Sequence, residues 1–264
     1  MRKRRLFFLI IALVLALQLS RGCFNHDTSR RYGIKATYLA RAGAMKMIAE
    51  LARDTNLYDT LNEDWCRDKD NPKVLSLRDD TVNYGAADEN RRLNLNSDTL
   101  EKAHLTRLGI DGSVARNMLE YRDKKGLEGF GFIEELFLVE GMTQEQYLLL
   151  RDSVTIYGGA DTRVNINTAT ERVLVAILGN PGLVRDILNY RKGPDGYEGT
   201  GDDGIFKGPD GLSIIEGLDP GLFTVSSSVF RIWAQSFFLE DKNIFKGVEA
   251  VVDRSGKIYH WKEY

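Results

Sequence analysis

FTVSSSVFRIWAQSFF, residues 223–238, alternates apolar with polar side chains after its serine run, the period-two pattern of a half-buried strand. KGVEAVVDRSGKIYHWKEY, residues 246–264, follows with the same alternation, and Asp253-Arg254-Ser255-Gly256 supplies a turn that folds it into a hairpin. Strand-like sequence occurs once more, far upstream, in VLSLRDDTVNYGAADENRRLNLN from Val74. Everything between reads as helices and turns. Strands at both ends of a helical stretch predict one sheet carrying a large inserted helical region, an α+β arrangement.

The 264 residues carry a net charge of -2 and 43% hydrophobic side chains, enough for a sizeable core and without the basic excess of a typical nucleic-acid binder. Met1-Arg-Lys-Arg-Arg5 precedes LFFLIIALVLAL, residues 6–17. A basic end before an apolar run reads as a cleaved signal, a lipoprotein signal ending at Cys23, or the top of a helix retained in the membrane. Each places the remainder outside the cytoplasm, since the basic end stays inside. Cys23 and Cys66 have no metal-ligand spacing and read as structural or incidental.

YGIKATYLARAGAMKMIAELARD predicts a helix to Asp54 with two adjoining stripes: Ala36, Ala40, Gly43, Met47, Leu51, and Ile34, Tyr38, Ala42, Met45, Ala49. The small residues permit close packing. Downstream, RRLNLNSDTLEKAHLTRLGI from Arg91 and TRVNINTATERVLVAILGNPG from Thr162 form a repeat with paired asparagines at a strand-to-helix turn. Capping boxes are expected at Asp98 with Glu101 and at Thr168 with Glu171. The copies continue into EYRDKKG and NYRKG, so the insert reads as a string of helix-hairpin-helix units, with a further pair of short helices broken at Glu140-Gly141-Met142.

Such units often bind nucleic acid through hairpin amides, and VNINTA is close to a motif of competence-type DNA receptors. An exported, membrane-tethered DNA-binding protein is therefore the alternative reading. Gly109-Ile110-Asp111-Gly112 and Glu140-Gly141-Met142-Thr143 set acidic side chains where phosphate would lie, and Pro181 removes an amide from the third hairpin. A packing role for the hairpins follows better. His26, His104 and His260 stand apart from any catalytic pattern and read as surface or capping residues; Asp88-Glu89 and Glu134-Glu135 are sequence neighbours expected to point apart or into solvent. No enzyme is expected.

The order of these segments, from the apolar amino terminus through YLARAG, DENRRLNLN, EYRDKKG, FIEELFLVEGMTQEQYLLLRDSVTIYGG, VNINTATERVLVAIL and YRKGPDG to FTVSSSVFRIWAQ, resembles the K-type minor pseudopilins of type II protein secretion. The resemblance spans nearly the whole chain. It implies a pilin-like fold, a long amino-terminal helix on a small antiparallel sheet with a large helical insertion, divided as 1–23 membrane anchor, 24–87 pilin helix and first strands, 88–215 inserted helical domain, and 216–264 closing strands. It implies a single-pass bacterial inner-membrane protein with its bulk in the periplasm, joined to I-type and J-type minor pseudopilins at the tip of a pseudopilus that drives folded proteins through the outer membrane. Maturation at Leu6 would make Ile10 the fifth residue, uncharged as in the K type. The chain departs from the family's processing pattern in having Arg5, rather than a small residue, before the apolar run, with no glycine before Gly22.

GPDGYEGTGDDGIFKGPDG, residues 193–211, is too rich in glycine and aspartate for helix or buried strand. Its composition fits a solvent-exposed turn cluster or a calcium site, whose ion takes six to eight oxygens from carboxylates and carbonyls on tightly curled backbone. The candidate ligands are Asp195, Glu198, Thr200, Asp202, Asp203 and Asp210, with spacing unlike an EF-hand. The K-type resemblance implies calcium in this region, and Lys192 and Lys207 lower the local charge toward modest affinity.

Overall fold

The structure, a computed structural model, describes residues 31–78, 80–238 and 245–264; the membrane segment expected at 1–23, with Cys23 and the expected processing site, and His26 lie outside the described residues. Among those described, no helix is long and apolar enough to cross a membrane.

Helix α1 spans residues 31–51. Its Ala36, Ala40, Ala44, Met47 and Leu51 are buried, while Ile34, Tyr38 and Met45 of the second stripe are exposed. Only one of the two stripes therefore belongs to this chain's core. Gly43 sits where the helix comes nearest the sheet: a Cβ there would stand 2.5 Å from Val82 Cγ1 and 3.1 Å from Ala234 Cβ.

The sheet has five strands in the order β1-β2-β7-β8-β9, all antiparallel: β1 Lys73–Leu77, β2 Asp80–Asp88, β7 Val229–Phe238, β8 Phe245–Asp253 and β9 Ile258–Glu263. Neighbours β2 and β7 pair with Tyr84 opposite Ala234. The chain leaves the sheet after β2 and returns at β7. Val82, Tyr84, Phe230, Ile232, Ala234, Val248 and Ala250 face α1 in one core. A second core runs from Leu93 to Val225 and belongs to the residues between those strands.

Those residues form one pattern twice. The first pass is β3 (Leu93–Asn94), α2 (Lys102–Arg107), α3 (Gly112–Lys124), a 3-10 helix (Ile133–Leu138), α4 (Gln144–Leu150) and β4 (Val154–Thr155). The second is β5 (Val164–Asn165), α5 (Glu171–Leu178), α6 (Pro181–Lys192), a 3-10 helix (Pro209–Ile214), a single turn (Pro220–Leu222) and β6 (Phe223–Thr224). In each, the entering strand pairs in parallel with the closing one, Leu93 with Val154 and Val164 with Phe223. The caps fall further along than the sequence predicts. Glu101 is the N-cap of α2, with His104 Nδ1 accepting from its N–H, and Thr170 caps α5. Thr168 is displaced from capping because its hydroxyl is used in the core, as shown below.

Candidate functional site

The paired asparagines make the same turn and clamp in both passes. Asn94 Oδ1 accepts from Asn96 N at 2.9 Å, and Asn165 Oδ1 from Asn167 N at 3.0 Å. The second asparagine of each pair then clamps both backbone groups of a distant phenylalanine: Asn96 bonds Phe130 N (2.7 Å) and O (2.9 Å), and Asn167 bonds Phe206 N (2.9 Å) and O (2.9 Å). Arg122 donates to Ser97 O, and Arg191 to Ile166 O and Ala169 O, tying the second helix of each pair back to the entry turn.

The glycine-aspartate stretch lies between α6 and the Phe206 clamp. The equivalent connection in the first pass is residues 125–129, five positions against thirteen at 193–205. The loop is thus an extension of a turn that the fold closes without it. Gly193 has φ +58°, and a Cβ on it would stand 2.2 Å from Asp202 O; one on Gly204 would stand 2.1 Å from Tyr190 O, so both positions require glycine. Asp202 Oδ2 accepts from Asp195 N (3.0 Å), and Asp203 Oδ2 from Gly199 N (2.7 Å). The Thr200 hydroxyl lies 2.7 Å from Asp202 Oδ1 and 3.0 Å from Asp203 Oδ1. One hydroxyl proton cannot serve both carboxylates, so three predicted ligands gather around a point short of positive charge. The hydrogen bond from Thr200 holds the Asp202 carboxyl below the usual range.

The other three stand apart. Asp195 contributes its N–H to Asp202 while its own Oδ1 accepts from Tyr197 N; Glu198 pairs at 2.9 Å with the buried Arg191; Asp210 lies in the 3-10 helix beyond Phe206, where its carbonyl accepts from Ser213 Oγ. The six do not converge as one carboxylate cluster: among the described residues, three acidic groups with oxygens within 4.8 Å of one another occur at Asp54, Asp59 and Glu63. That trio is already served. Arg254 pairs with Asp54 and Asp59, and Glu63 accepts from Thr60 N and Trp65 Nε1.

The ends of α2 and α5 are bonded to one another. Arg107 of α2 donates to Ala176 O (2.9 Å) and Ile177 O (3.1 Å) at the end of α5, and Arg172 of α5 donates to Leu108 O (2.6 Å) at the end of α2. Each arginine satisfies carbonyls that a helix end leaves open. Both arginines are thus engaged by carbonyls of the opposite helix end. Asp111 accepts from Gln146 Nε2 at 3.0 Å.

The neighbouring carboxylates point apart, as one branch of the expectation had it, but three of them point inward: Glu134 is exposed, whereas Asp88, Glu89 and Glu135 are buried. Asp88 accepts from Asn90 N, Asn165 Nδ2, Ser227 Oγ and Thr168 Oγ1, and Asp59 accepts from Ser227 N. This network joins the end of β2 to the second pass and to the return strand. Sequence reasoning missed it because the side-chain donors lie 77 to 139 residues from Asp88. Glu89 holds Arg231 and Arg92, whose charges outweigh burial and keep it below the usual carboxylate range. Glu135 takes Tyr121, Lys125 and Gly131 N.

Burial pushes Asp88 up to about 6. A folded-state value above the unfolded one of about 4 gives stability that is full below pH 4 and lost as pH rises through 6. The stability of Asp88→Asn relative to wild type is therefore expected to rise between pH 4 and pH 7, by up to about 1.4 kcal/mol per pH unit. Urea unfolding at pH 4.5 and 7 checks this; a difference independent of pH would refute it.

No family model matches the chain. Endonuclease/exonuclease/phosphatase family domain-containing protein 1 of Danio rerio is 32% identical over 119 residues, 38% of this chain and 21% of that protein, so the chain spans about a fifth of that relative's length. Among solved structures, the chain is similar to one in the GspK-GspI-GspJ complex of the enterotoxigenic Escherichia coli type 2 secretion system, with 15% identity and a TM-score of 0.60, covering 93% of this chain and 99% of that one. At that identity the likeness is one of fold: a mixed α+β protein with a five-stranded antiparallel sheet, like a type II secretion pseudopilin.

Proposed function

We propose that the protein is a K-type minor pseudopilin, anchored by its amino terminus in the inner membrane and assembled with I-type and J-type partners at the tip of a periplasmic pseudopilus. The observation that carries this reading is a likeness of fold over 93% of the chain to a member of a three-pseudopilin complex. The exposed Ile34, Tyr38 and Met45 stripe of α1 supports it, because one helix face packs on the chain's own sheet and the opposite face is apolar yet unused. The role is assembly, with no reaction of its own. The α2–α3 and α5–α6 pairs are helix-hairpin-helix units serving packing. Co-purification of residues 25–264 with soluble I and J pseudopilins is expected to give a ternary complex. Salt-dependent retention of duplex DNA without that complex would favour the competence-receptor alternative instead.

The glycine-aspartate loop is read as a calcium site built on Thr200, Asp202 and Asp203, with loop carbonyls completing the oxygen shell. Bound calcium would supply the positive charge that the two carboxylates share through one hydroxyl. Added calcium is expected to raise the melting temperature of residues 25–264 and chelator to return it, as binding to the native state alone requires. Asp202→Asn with Asp203→Asn should abolish the shift. An unchanged melting temperature in calcium sinks the calcium reading while leaving the pseudopilin reading intact.

A further inference from the structure

The second helix of each pair ends on a tyrosine and an arginine, Tyr121-Arg122 in α3 and Tyr190-Arg191 in α6, and the two arginines are served differently. In the first pass Arg122 Nη1 donates to Ser97 O, while its Nε and Nη2 meet Asp123 Oδ1 at 2.9 and 2.8 Å. The second pass has Lys192 where the first has Asp123. There Arg191 Nη1 donates to Ile166 O and Ala169 O, and Nη2 pairs with Glu198 at 2.9 Å. Its Nε is buried without an acceptor among the described residues, on a side chain only 3% exposed. A charged donor left open at that depth is costly, and the sister helix shows that the fold does not impose it.

Positive charge is in excess nearby. Burial holds Arg191 below its ordinary value against the pull of Glu198, and the charge of Arg91 adds to the lowering, which places the two arginines close together. Arg91 is half-buried and Lys69 exposed, and neither makes a hydrogen bond or ion pair among the described residues. Both line a cleft of about 490 Å³ with Arg67, Asp68 and Glu198, between the segment preceding β1, strand β2 and the glycine-aspartate loop. Arg67 reaches Asp64 at 3.5 Å, and Asp68 accepts from the N–H groups of Asp70 and Asn71 in its own turn. Glu198, the other acid of the cleft, is the one that holds Arg191.

We propose that this cleft binds a phosphate group carried by a small molecule, which takes the Nε and Nη2 edge of Arg191 in place of Glu198 and is neutralised by Arg91 and Lys69. That edge of a guanidinium presents two parallel donors to two oxygens of one anion, and Glu198 uses a single one of them. A carboxylate would be exhausted by the edge alone. Phosphate keeps oxygens and charge for Arg91 and Lys69, so the donor set selects the tetrahedral dianion. The inference rests on the paired arginines and stands whether or not the pseudopilin and calcium readings do.

The full chain in dodecyl maltoside micelles, free of calcium, is titrated with inorganic phosphate and, at matched ionic strength, with chloride, and binding is read by calorimetry. Saturable binding of phosphate but not of chloride is expected. Arg91→Gln should weaken it about tenfold or more, the worth of a hydrogen bond between charged partners. Lys192→Asp rebuilds the acceptor that the first pass carries at 123 and should weaken it as much, with the melting temperature in the absence of phosphate unchanged or higher. Lys192 is half-exposed, so this variant keeps the test valid if Arg91→Gln misfolds. Glu198→Gln removes the competing charge and should tighten binding about threefold or more. Vesicles of phosphatidylglycerol and duplex DNA are run alongside. Absence of saturable phosphate binding, binding indifferent to Arg91→Gln and Lys192→Asp, weaker binding by Glu198→Gln, or uptake of vesicles or DNA that phosphate does not compete away would overturn the proposal.

Discussion

Asn167→Ala is expected to destabilise the protein by about 2–5 kcal/mol, because it strands two buried backbone groups at once, and each costs roughly 1–3 kcal/mol when unpaired. Asn167 accepts from Phe206 N and donates to Phe206 O, both at 2.9 Å, and Asn167 and Phe206 are buried. A stability of 5–15 kcal/mol is typical for a domain, so the loss approaches unfolding of the second pass. It also frees one end of the glycine-aspartate loop, whose last residues lead into Phe206, so any calcium-dependent rise in melting temperature should shrink with it. Urea unfolding of Asn167→Ala beside Asn96→Ala, its counterpart at Phe130, measures this. A midpoint change equivalent to less than 0.5 kcal/mol at 167, the scale of an ordinary surface substitution, would show that the clamp does not hold the fold.

Gly43→Val is expected to cost about 3 kcal/mol or more, since over-packing a filled core typically costs 1–3 kcal/mol and here the first added carbon already stands 2.5 Å from Val82 Cγ1. Val82 and Ala234 are fully buried, so neither has space into which to retreat. The helix must lift from the sheet. Its outer stripe of Ile34, Tyr38 and Met45 moves with it, and the variant should lose the proposed complex with I and J pseudopilins along with its stability. Gly33→Ala is the control: a Cβ there meets nothing within 4 Å, and the change should be neutral or slightly stabilising. Thermal melting and co-purification of both variants decide the matter; equal behaviour of the two would refute the close-approach argument.

The calcium reading rests on a turn lengthened in the second pass, which the first pass closes in five residues, and a length the fold does not need is a place to look for binding.

Local pattern was enough for the sheet, for α1 with its small-residue face, and for the repeat with its paired asparagines, because alternation, 3.6-residue period and turn chemistry are carried by neighbours in the chain. Pattern alone could not say which of the two stripes on α1 is core, since both are apolar and only the position of the sheet chooses between them. Nor could it place Asp88, Glu89 and Glu135 inside, because a carboxylate is tolerated there only by donors brought from distant residues such as Ser227 and Arg231. Thr168 sits where a capping box was expected, and Asp88 took its hydroxyl instead. The six candidate ligands of the loop were legible as a composition. Which of them share a point in space was decided by Thr200 standing between its near neighbours Asp202 and Asp203, and by Arg191 drawing Glu198 away once α6 has packed against the entry turn.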